Sequence, residues 1–230
     1  MDVYPLGFAE ITLFKALDKQ ARRALECQCR WRRYRANEAI IDDQDEGNDL
    51  FLVVRGQLRA SVCIAGQETI MRDIRAGEYF GEIAAIDNRP RSAHIRCLTD
   101  SIVAQMPAHV FWQAIQQYPE VGRQVLVSLA ALIRSLTDRV NETSALSMKH
   151  RLLAELLRLS RSVSGATESY IISPPPTHAE LAARIGSHRE AVTRELNSLT
   201  RLGLITRHRG AISLQDRNRL QQTLDKALQG

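Results

Sequence analysis

The spacing of apolar and polar positions changes twice along the chain. Over residues 8–27, Phe14, Leu17, Ala21 and Leu25 recur at helical spacing and predict short helical pieces. From residue 31 to 106, short apolar runs take over, at 39–41, 50–54, 58–64, 69–74, 94–97 and 102–106. Gly47, Gly56, Gly66, Gly77 and Gly81 punctuate them. Short strands with turn glycines at this spacing predict a compact antiparallel barrel or sandwich. Beyond Pro107 the helical period returns, so the chain reads as an α+β protein.

In the back part, residues 108–117 predict a short helix that stops at Pro119, and 120–142 a long one. Val125, Leu129, Leu132, Leu136, Val140 and Thr143 on the long helix lie close to a heptad seam. Such a seam fits a parallel pair with a second copy; the alternative is a helix packed on its own domain. Residues 141–147 are polar and poor in helix formers, which places a hinge there. Another amphipathic helix follows at 149–161, with Leu152, Leu153, Leu156, Leu157 and Leu159, then a loop or short strand ending at Pro174–Pro176. Two helices separated by a glycine turn come next. A strand pair follows at 204–206 and 211–214, turning at 207–210, and then a terminal helix at 216–228 capped by Asp216. The expected domains are 1–119, the long helix and hinge at 120–145, and 146–230.

Composition sharpens this picture in one respect. The chain of 230 residues carries a net charge of +5. Residues 146–230 hold 13 Lys and Arg against 7 Asp and Glu, whereas residues 1–145 hold 18 against 19. A near-neutral front and a basic back point to a polyanion partner for the back part. The N-terminus has no basic start followed by an apolar stretch, and no apolar run has the roughly 18–20 residues needed to span a bilayer, so a cytoplasmic protein without membrane contact is expected. Cys27, Cys29, Cys63 and Cys97 lack zinc or cluster spacing, so free thiols and no metal are expected.

Two segments carry chemistry. The first is FGEIAAIDNRPRSAHI, residues 80–95. Arg91 can fork onto two phosphate oxygens with a charge that does not titrate, and Ser92 adds a hydroxyl. Gly81 permits close backbone approach, and Glu82 is an acceptor for a sugar hydroxyl. Together they suit the phosphate and ribose of a cyclic nucleotide. The alternative is a surface ion pair.

The second segment is THAELAARIGSHREAVTRELNSLTRL, residues 177–202. Thr177 with Glu180 forms a capping box, Gly186 makes the turn, and Ser187 with Glu190 forms a second capping box. Val192, Leu196 and Leu199 give the second helix a buried stripe. The pattern is a helix-turn-helix whose second helix reads DNA. Arg189, Glu190, Thr193 and Arg194 lie off that stripe. Arginine forks onto guanine and glutamate accepts from cytosine.

These segments resemble the CRP/FNR superfamily of transcription regulators. FGEIA followed by PRSAHI is similar to its phosphate-binding cassette, and REAVTR to its reading helix; the likeness runs from about residue 10 to 215. It implies a β-roll (double-stranded β-helix) cyclic-nucleotide domain, a long dimerisation helix and a winged helix-turn-helix. By this resemblance Gly81, Glu82, Ile83, Ala84, Arg91, Ser92 and Ala93 hold ribose and phosphate. On the long helix, Leu136 and Thr137 fall where relatives carry two base-contacting hydroxyls, and only Thr137 keeps one. Leu132 stands where an arginine approaches the ribose. Cyclic AMP is the favoured ligand and cyclic GMP the second. Arg189, Glu190, Thr193 and Arg194 would meet bases. Thr177, His178, His188, Arg207, His208 and Arg209 would meet phosphates, with His178 standing where relatives often carry arginine, and Ser187 also lies in the DNA-binding set. The resemblance further implies a homodimer on a palindromic TGTGA-like operator, with RNA polymerase as a partner and no enzymatic activity. A relative not gated by a cyclic nucleotide is the alternative.

Overall fold

The computed structural model describes residues 7–64, 66–162 and 170–229. The chain divides into two compact units after Ile133.

The first unit is a β-roll. Helix α1 (Lys19–Glu26) starts where the Asp18 side chain accepts from Ala21 N at 2.8 Å. Eight strands follow: β1 (Arg30–Tyr34), β2 (Ala39–Ile41), β3 (Leu50–Arg55), β4 (Gln57–Ile64), β5 (Gln67–Arg75), β6 (Tyr79–Phe80), then, beyond helix α2 (Glu82–Asp87), β7 (His94–Cys97) and β8 (Ser101–Met106). They form two antiparallel sheets, ordered β1-β8-β3-β6 and β2-β7-β4-β5. The second sheet, β3 and β6 bury Ile41, Phe51, Val53, Leu58, Ile74, Phe80 and Ile95 against one another. A second cluster joins Phe8, Phe14, Leu17, Ala21 and Leu25 to Leu50, Leu52 and Phe111 of helix α3 (Ala108–Gln117). The four apolar positions that predicted the N-terminal helical pieces are therefore core residues.

Helix α4 (Pro119–Ala145) is longer than its polar end suggests. The Thr143 hydroxyl donates back to Arg139 O at 2.8 Å, so its polar group finds a partner within the helix. The expected hinge at 141–147 therefore shrinks to Leu146 and Ser147, and Leu146 is buried. The first two positions of the expected seam also need correction. Val125 is buried in the roll core, with Leu129 packed on it, so neither is free to face another helix. The exposed large apolar residues of α4 are Leu126, Val127, Ile133, Leu136 and Val140; Leu126 (69%), Ile133 (64%) and Val140 (64%) lie at strict heptad spacing, with Leu136 between the last two.

The second unit packs helix α5 (Met148–Leu159) with a four-stranded sheet and three more helices. The strands are β9 (Arg161–Ser162), β10 (Tyr170–Ile172), β11 (Ile205–His208) and β12 (Ala211–Leu214), ordered β11-β12-β10-β9. The expected strand pair is thus half of a larger sheet. His208 pairs with Ala211, so the turn is Arg209–Gly210, tighter than the four residues expected. Residues 163–169 of the expected loop lie outside the described residues. Leu220 and Leu224 of helix α8 (Arg217–Gln229) are buried in the core of this unit, and Asp216 Oδ1 accepts from Arg219 N at 2.8 Å. Glu155 of α5, 1% exposed, is held by Arg158, by Arg184 at 3.5 Å and by Arg139 of α4 at 3.9 Å. Arg158 also reaches Glu142 at 2.5 Å. The last turns of α4 are thereby ion-paired to α5.

Candidate functional site

The roll places the first set of residues where β6 gives way to α2. Gly81 caps α2 with φ +83°. A β-carbon there would come within 2.7 Å of Arg91 Nη1 and 3.0 Å of Asp49 O, so both the backbone angle and the space require glycine. Arg91 is 4% exposed. Its Nη1 donates to Gly81 O at 3.2 Å and its Nη2 to Asp49 O at 2.9 Å, while the guanidinium lies 5.3 Å over the Phe51 ring. Phe51 is itself stacked on Phe80 at 5.0 Å. The Arg91 backbone is also pinned, donating to Asp45 O at 2.9 Å and accepting from Gln44 N at 3.1 Å.

Glu82 is 8% exposed at the first position of α2. Burial raises its carboxyl above the ordinary range, opposed by a backbone hydrogen bond, Arg72 and Arg91. Burial likewise lowers Arg91, opposed by Asp49, Asp45 and Glu82. Two buried opposite charges therefore sit at one end of a six-residue helix: Arg91 donates to two backbone carbonyls, while Glu82 has a backbone hydrogen bond and the charges of Arg72 and Arg91. A guanidinium has five N–H donors, so Arg91 keeps donors for an anion after these two bonds. Ala84 is buried, Ala93 half-buried, and Ile83 and Ser92 exposed. The Trp112 indole donates to Ala85 O at 3.0 Å and ties α2 to α3.

Leu136 and Thr137 lie on the part of α4 that belongs to the second unit, and both are exposed. Sequence reasoning passed over Asp49, Phe51 and Arg72. The first two act through a carbonyl and a ring face and leave no motif. Arg72 did leave a signal, because it interrupts the apolar alternation between Ile70 and Ile74.

In the second unit, helix α6 (His178–Ile185) opens on the expected capping box. Thr177 Oγ1 accepts from Glu180 N at 3.2 Å, and Glu180 Oε2 accepts from Thr177 N at 2.7 Å. Gly186 ends α6 in the left-handed conformation. Helix α7 (Arg189–Arg201) starts one residue later than expected. Ser187 N is used to close α6 on Ala182 O at 3.0 Å, so His188 becomes the N-cap and its carbonyl takes Ala191 N and Val192 N. The second capping box therefore does not form.

Val192, Leu196 and Leu199 are buried beneath α7, and Arg189, Glu190 and Arg194 stand exposed on it. Thr193 is half-buried, 2.7 Å from His178 Nδ1, and donates to Arg189 O at 2.9 Å. Thr177, His188, His208 and Arg209 are exposed, Ser187 and His178 half-buried. Arg207, expected at phosphates, is exposed, and its Nη2 donates to Asn197 Oδ1 of α7 at 2.7 Å.

A helix pair with exposed arginines over an apolar stripe, beside a hairpin, has the form of a winged helix-turn-helix. Among the described residues, no helix is long and apolar enough to cross a membrane, and no cluster of three or more His, Cys, Asp or Glu is placed to hold a metal.

Comparison with known proteins agrees with both halves. Residues 31–118 match the cyclic nucleotide-binding domain family, and residues 150–223 the Crp-like helix-turn-helix domain. The chain is 28% identical to the cAMP-activated global transcriptional regulator Vfr of Pseudomonas aeruginosa, over 83% of this chain and 89% of that one. It is 27% identical to the cyclic AMP receptor protein of Thermus thermophilus, over 80% and 83%. Among solved structures, a CooA mutant from Carboxydothermus hydrogenoformans superposes with a TM-score of 0.76 at 19% identity, covering 87% of this chain and 90% of that one. A family of dimeric regulators, not enzymes, accounts for a β-roll, a long helix and a DNA reader in one chain: this protein belongs to the CRP/FNR superfamily of transcription regulators.

Proposed function

We propose that this regulator is a homodimer, gated by a cyclic nucleotide, that binds a palindromic TGTGA-like operator. The observation that carries the reading is the pairing of two buried charges, Arg91 and Glu82, at the start of α2. Isolating charge from water is costly without compensation; here Arg91 has two backbone carbonyls, and Glu82 has a backbone hydrogen bond and the charges of Arg72 and Arg91. A cyclic phosphate on Arg91, with Ser92 and the backbone of Gly81, Ile83, Ala84 and Ala93 around it, and a ribose 2′-hydroxyl on Glu82, completes both groups. These contacts do not choose the base. Cyclic AMP, named in the relatives, is the first candidate and cyclic GMP the second.

The exposed stripe Leu126, Ile133 and Val140, with Leu136, is the proposed seam with a second copy. Thr137 and Leu136, on the same helix, would then meet the base and pass its presence to the seam. Each reader helix offers Arg189, Glu190, Thr193 and Arg194 to the major groove. Thr177, His178, Ser187, His188, His208 and Arg209 lie toward phosphate, with half-sites about 34 Å apart. RNA polymerase is the proposed downstream partner, and the cytoplasm the place of action.

A ligand shifts the two-state equilibrium only by its differential affinity for the two states. Fluorescence anisotropy with a labelled palindrome is expected to show at least about tenfold tighter binding when cyclic AMP or cyclic GMP is saturating, about 1.4 kcal/mol of coupling. Equal affinity with and without either nucleotide would overturn the gating, leaving a DNA-binding regulator of the same family.

A further inference from the structure

Glu155 of α5 is 1% exposed, and its carboxylate faces two ways. Oε1 lies 3.5 Å from Arg184 Nη1 on α6, the first helix of the helix-turn-helix. Oε2 takes Arg158 of its own helix and lies 3.9 Å from Arg139 Nη2 on α4. Arg158 turns its other terminal nitrogen to Glu142 of α4 at 2.5 Å. Two struts therefore run from the end of α4 to α5, Arg139 to Glu155 and Glu142 to Arg158. Arg184 continues the first of them into the reader pair. All of these residues belong to the second unit.

The struts span a very short junction. Only Leu146 and Ser147 separate α4 from α5. Leu146 is buried in the core of the unit, and its N–H donates to Glu142 O at 3.0 Å. Ser147 O accepts from Arg151 N at 3.0 Å. A pivot needs positions that can take up a large change in φ and ψ. A swing at these two residues would break their backbone bonds, part both struts and uncover Leu146. Ion pairs taken out of water are poor sources of stability, because desolvation offsets the attraction.

We propose that the two struts on Glu155 and Arg158 lock the junction at Leu146–Ser147, so that α4 from Arg139 onward moves as one body with the reader helix α7. The buried charges contribute a fixed arrangement more than strength, since one of them parted from its partners would stay buried and uncompensated. The segment whose composition suggested a hinge is then a rigid elbow, and Glu155 is a positioning residue for the reader. In a dimer on a palindrome, the direction of α4 itself would set the separation of the two readers. That last step rests on the operator reading above; the lock does not.

The experiment is hydrogen exchange by mass spectrometry on the full-length protein, wild type against Arg139→Gln combined with Glu142→Gln. Arg139 lies among Glu155, Glu142, Arg158 and Arg184, so the double variant removes one charge of each sign and keeps the balance of the cluster. Glu155 retains Arg158 and Arg184, and melting should follow the wild type. Peptides covering 141–147 are expected to exchange about tenfold or more faster, while those of α7 and β12 keep their wild-type rates. Arg139→Gln alone gives a smaller change in the same peptides, should the double variant fail to fold, and Arg139→Lys, which keeps the charge, stays close to wild type. In anisotropy, the double variant should bind a labelled palindrome about fivefold or more weaker than the wild type and a single half-site equally well. Unchanged exchange at 141–147 would overturn the lock. So would faster exchange spread over α5, α7 and the sheet with a lower melting temperature, which would make the cluster ordinary packing. A wild type that binds the palindrome no better than a half-site would instead overturn the operator reading, with the exchange rates still deciding the lock.

Discussion

Arg91 in the roll and Arg189 on the reader helix are both proposed to meet phosphate or base, yet one is 4% exposed and the other stands in the open. The roll holds its charge through partners far apart in sequence, Asp49 and Gly81, under a packed aromatic pair. The reader helix holds its charges by local means: a helix N-terminus, an apolar stripe beneath and a capped neighbour. The difference matches what each site must do. A small ligand is recognised best where water is excluded and charges act strongly. A long polyanion needs charges that are displayed, and repays them through release of counterions. Mutations should therefore couple function to stability in the roll and separate the two in the reader.

The largest effect tests the buried side. Arg91→Ala removes both donors to the phosphate, each charge-assisted bond being worth about 1.5–3 kcal/mol. Nucleotide affinity in calorimetry is expected to fall by at least about a hundredfold. It also leaves Glu82 buried without one of its two cationic neighbours, so the carboxyl should move further upward and thermal melting of the roll should drop. Unchanged ligand affinity would show that the cassette is not the site.

Glu190→Ala tests the exposed side, with a smaller effect of a different kind. Glu190 stands on the surface of α7, so melting should stay within about 0.5 kcal/mol of wild type. Discrimination at the contacted C·G pair should relax by about 1–3 kcal/mol, with little change on unrelated DNA. An equal loss on every sequence would make Glu190 a structural residue and erase the contrast with Arg91.

The same contrast governs how much could be read before the structure. The helix-turn-helix was legible almost residue by residue, because capping boxes and apolar stripes are local patterns. It failed by one position, at Ser187, where the backbone was already committed to closing α6. The roll was legible as a class, through glycines between short apolar runs, and the cassette through its resemblance. The partners of Arg91 were not, since backbone carbonyls and an aromatic face can come from any residue. The start of the expected seam on α4, at Val125 and Leu129, was not legible for a related reason. Val125 and Leu126 are equally apolar in the sequence, and only the packing of the roll decides that Val125 is taken. The alternation broken at Arg72 was visible all along, but an inward arginine acquires meaning only once Tyr79 and Glu82 are seen beside it.

The smallest expected effect lies where the two kinds of site meet, at His178, which is exposed enough for DNA yet partnered within the fold. Burial lowers its pKa below 6.5, followed by the positive charges of Arg207 and Arg189. The single hydroxyl hydrogen of Thr193 is committed to Arg189 O at 2.9 Å, so at 2.7 Å the His178 Nδ1–H is the donor to Thr193. The neutral ring then presents a lone pair at Nε2, which repels phosphate, and a phosphate contact requires taking up a proton. In the free protein the sign is opposite. A base with a depressed folded pKa stabilises the fold above its unfolded value and loses that contribution as pH falls through 6.5 and below. Acidification should therefore slightly lower the melting temperature of the free protein while tightening its hold on DNA. The salt dependence of binding should steepen by about 0.9 in log–log slope per histidine engaged. His188 and His208 are exposed in the same unit, so the comparison must be made against His178→Gln. Anisotropy titrations above and below pH 6.5 should show a few-fold tightening in the wild type that His178→Gln loses in part and His178→Arg makes independent of pH. If His178→Gln keeps the whole pH response, the proton goes elsewhere, and the reader's charges are as fully displayed at His178 as they are at Arg189.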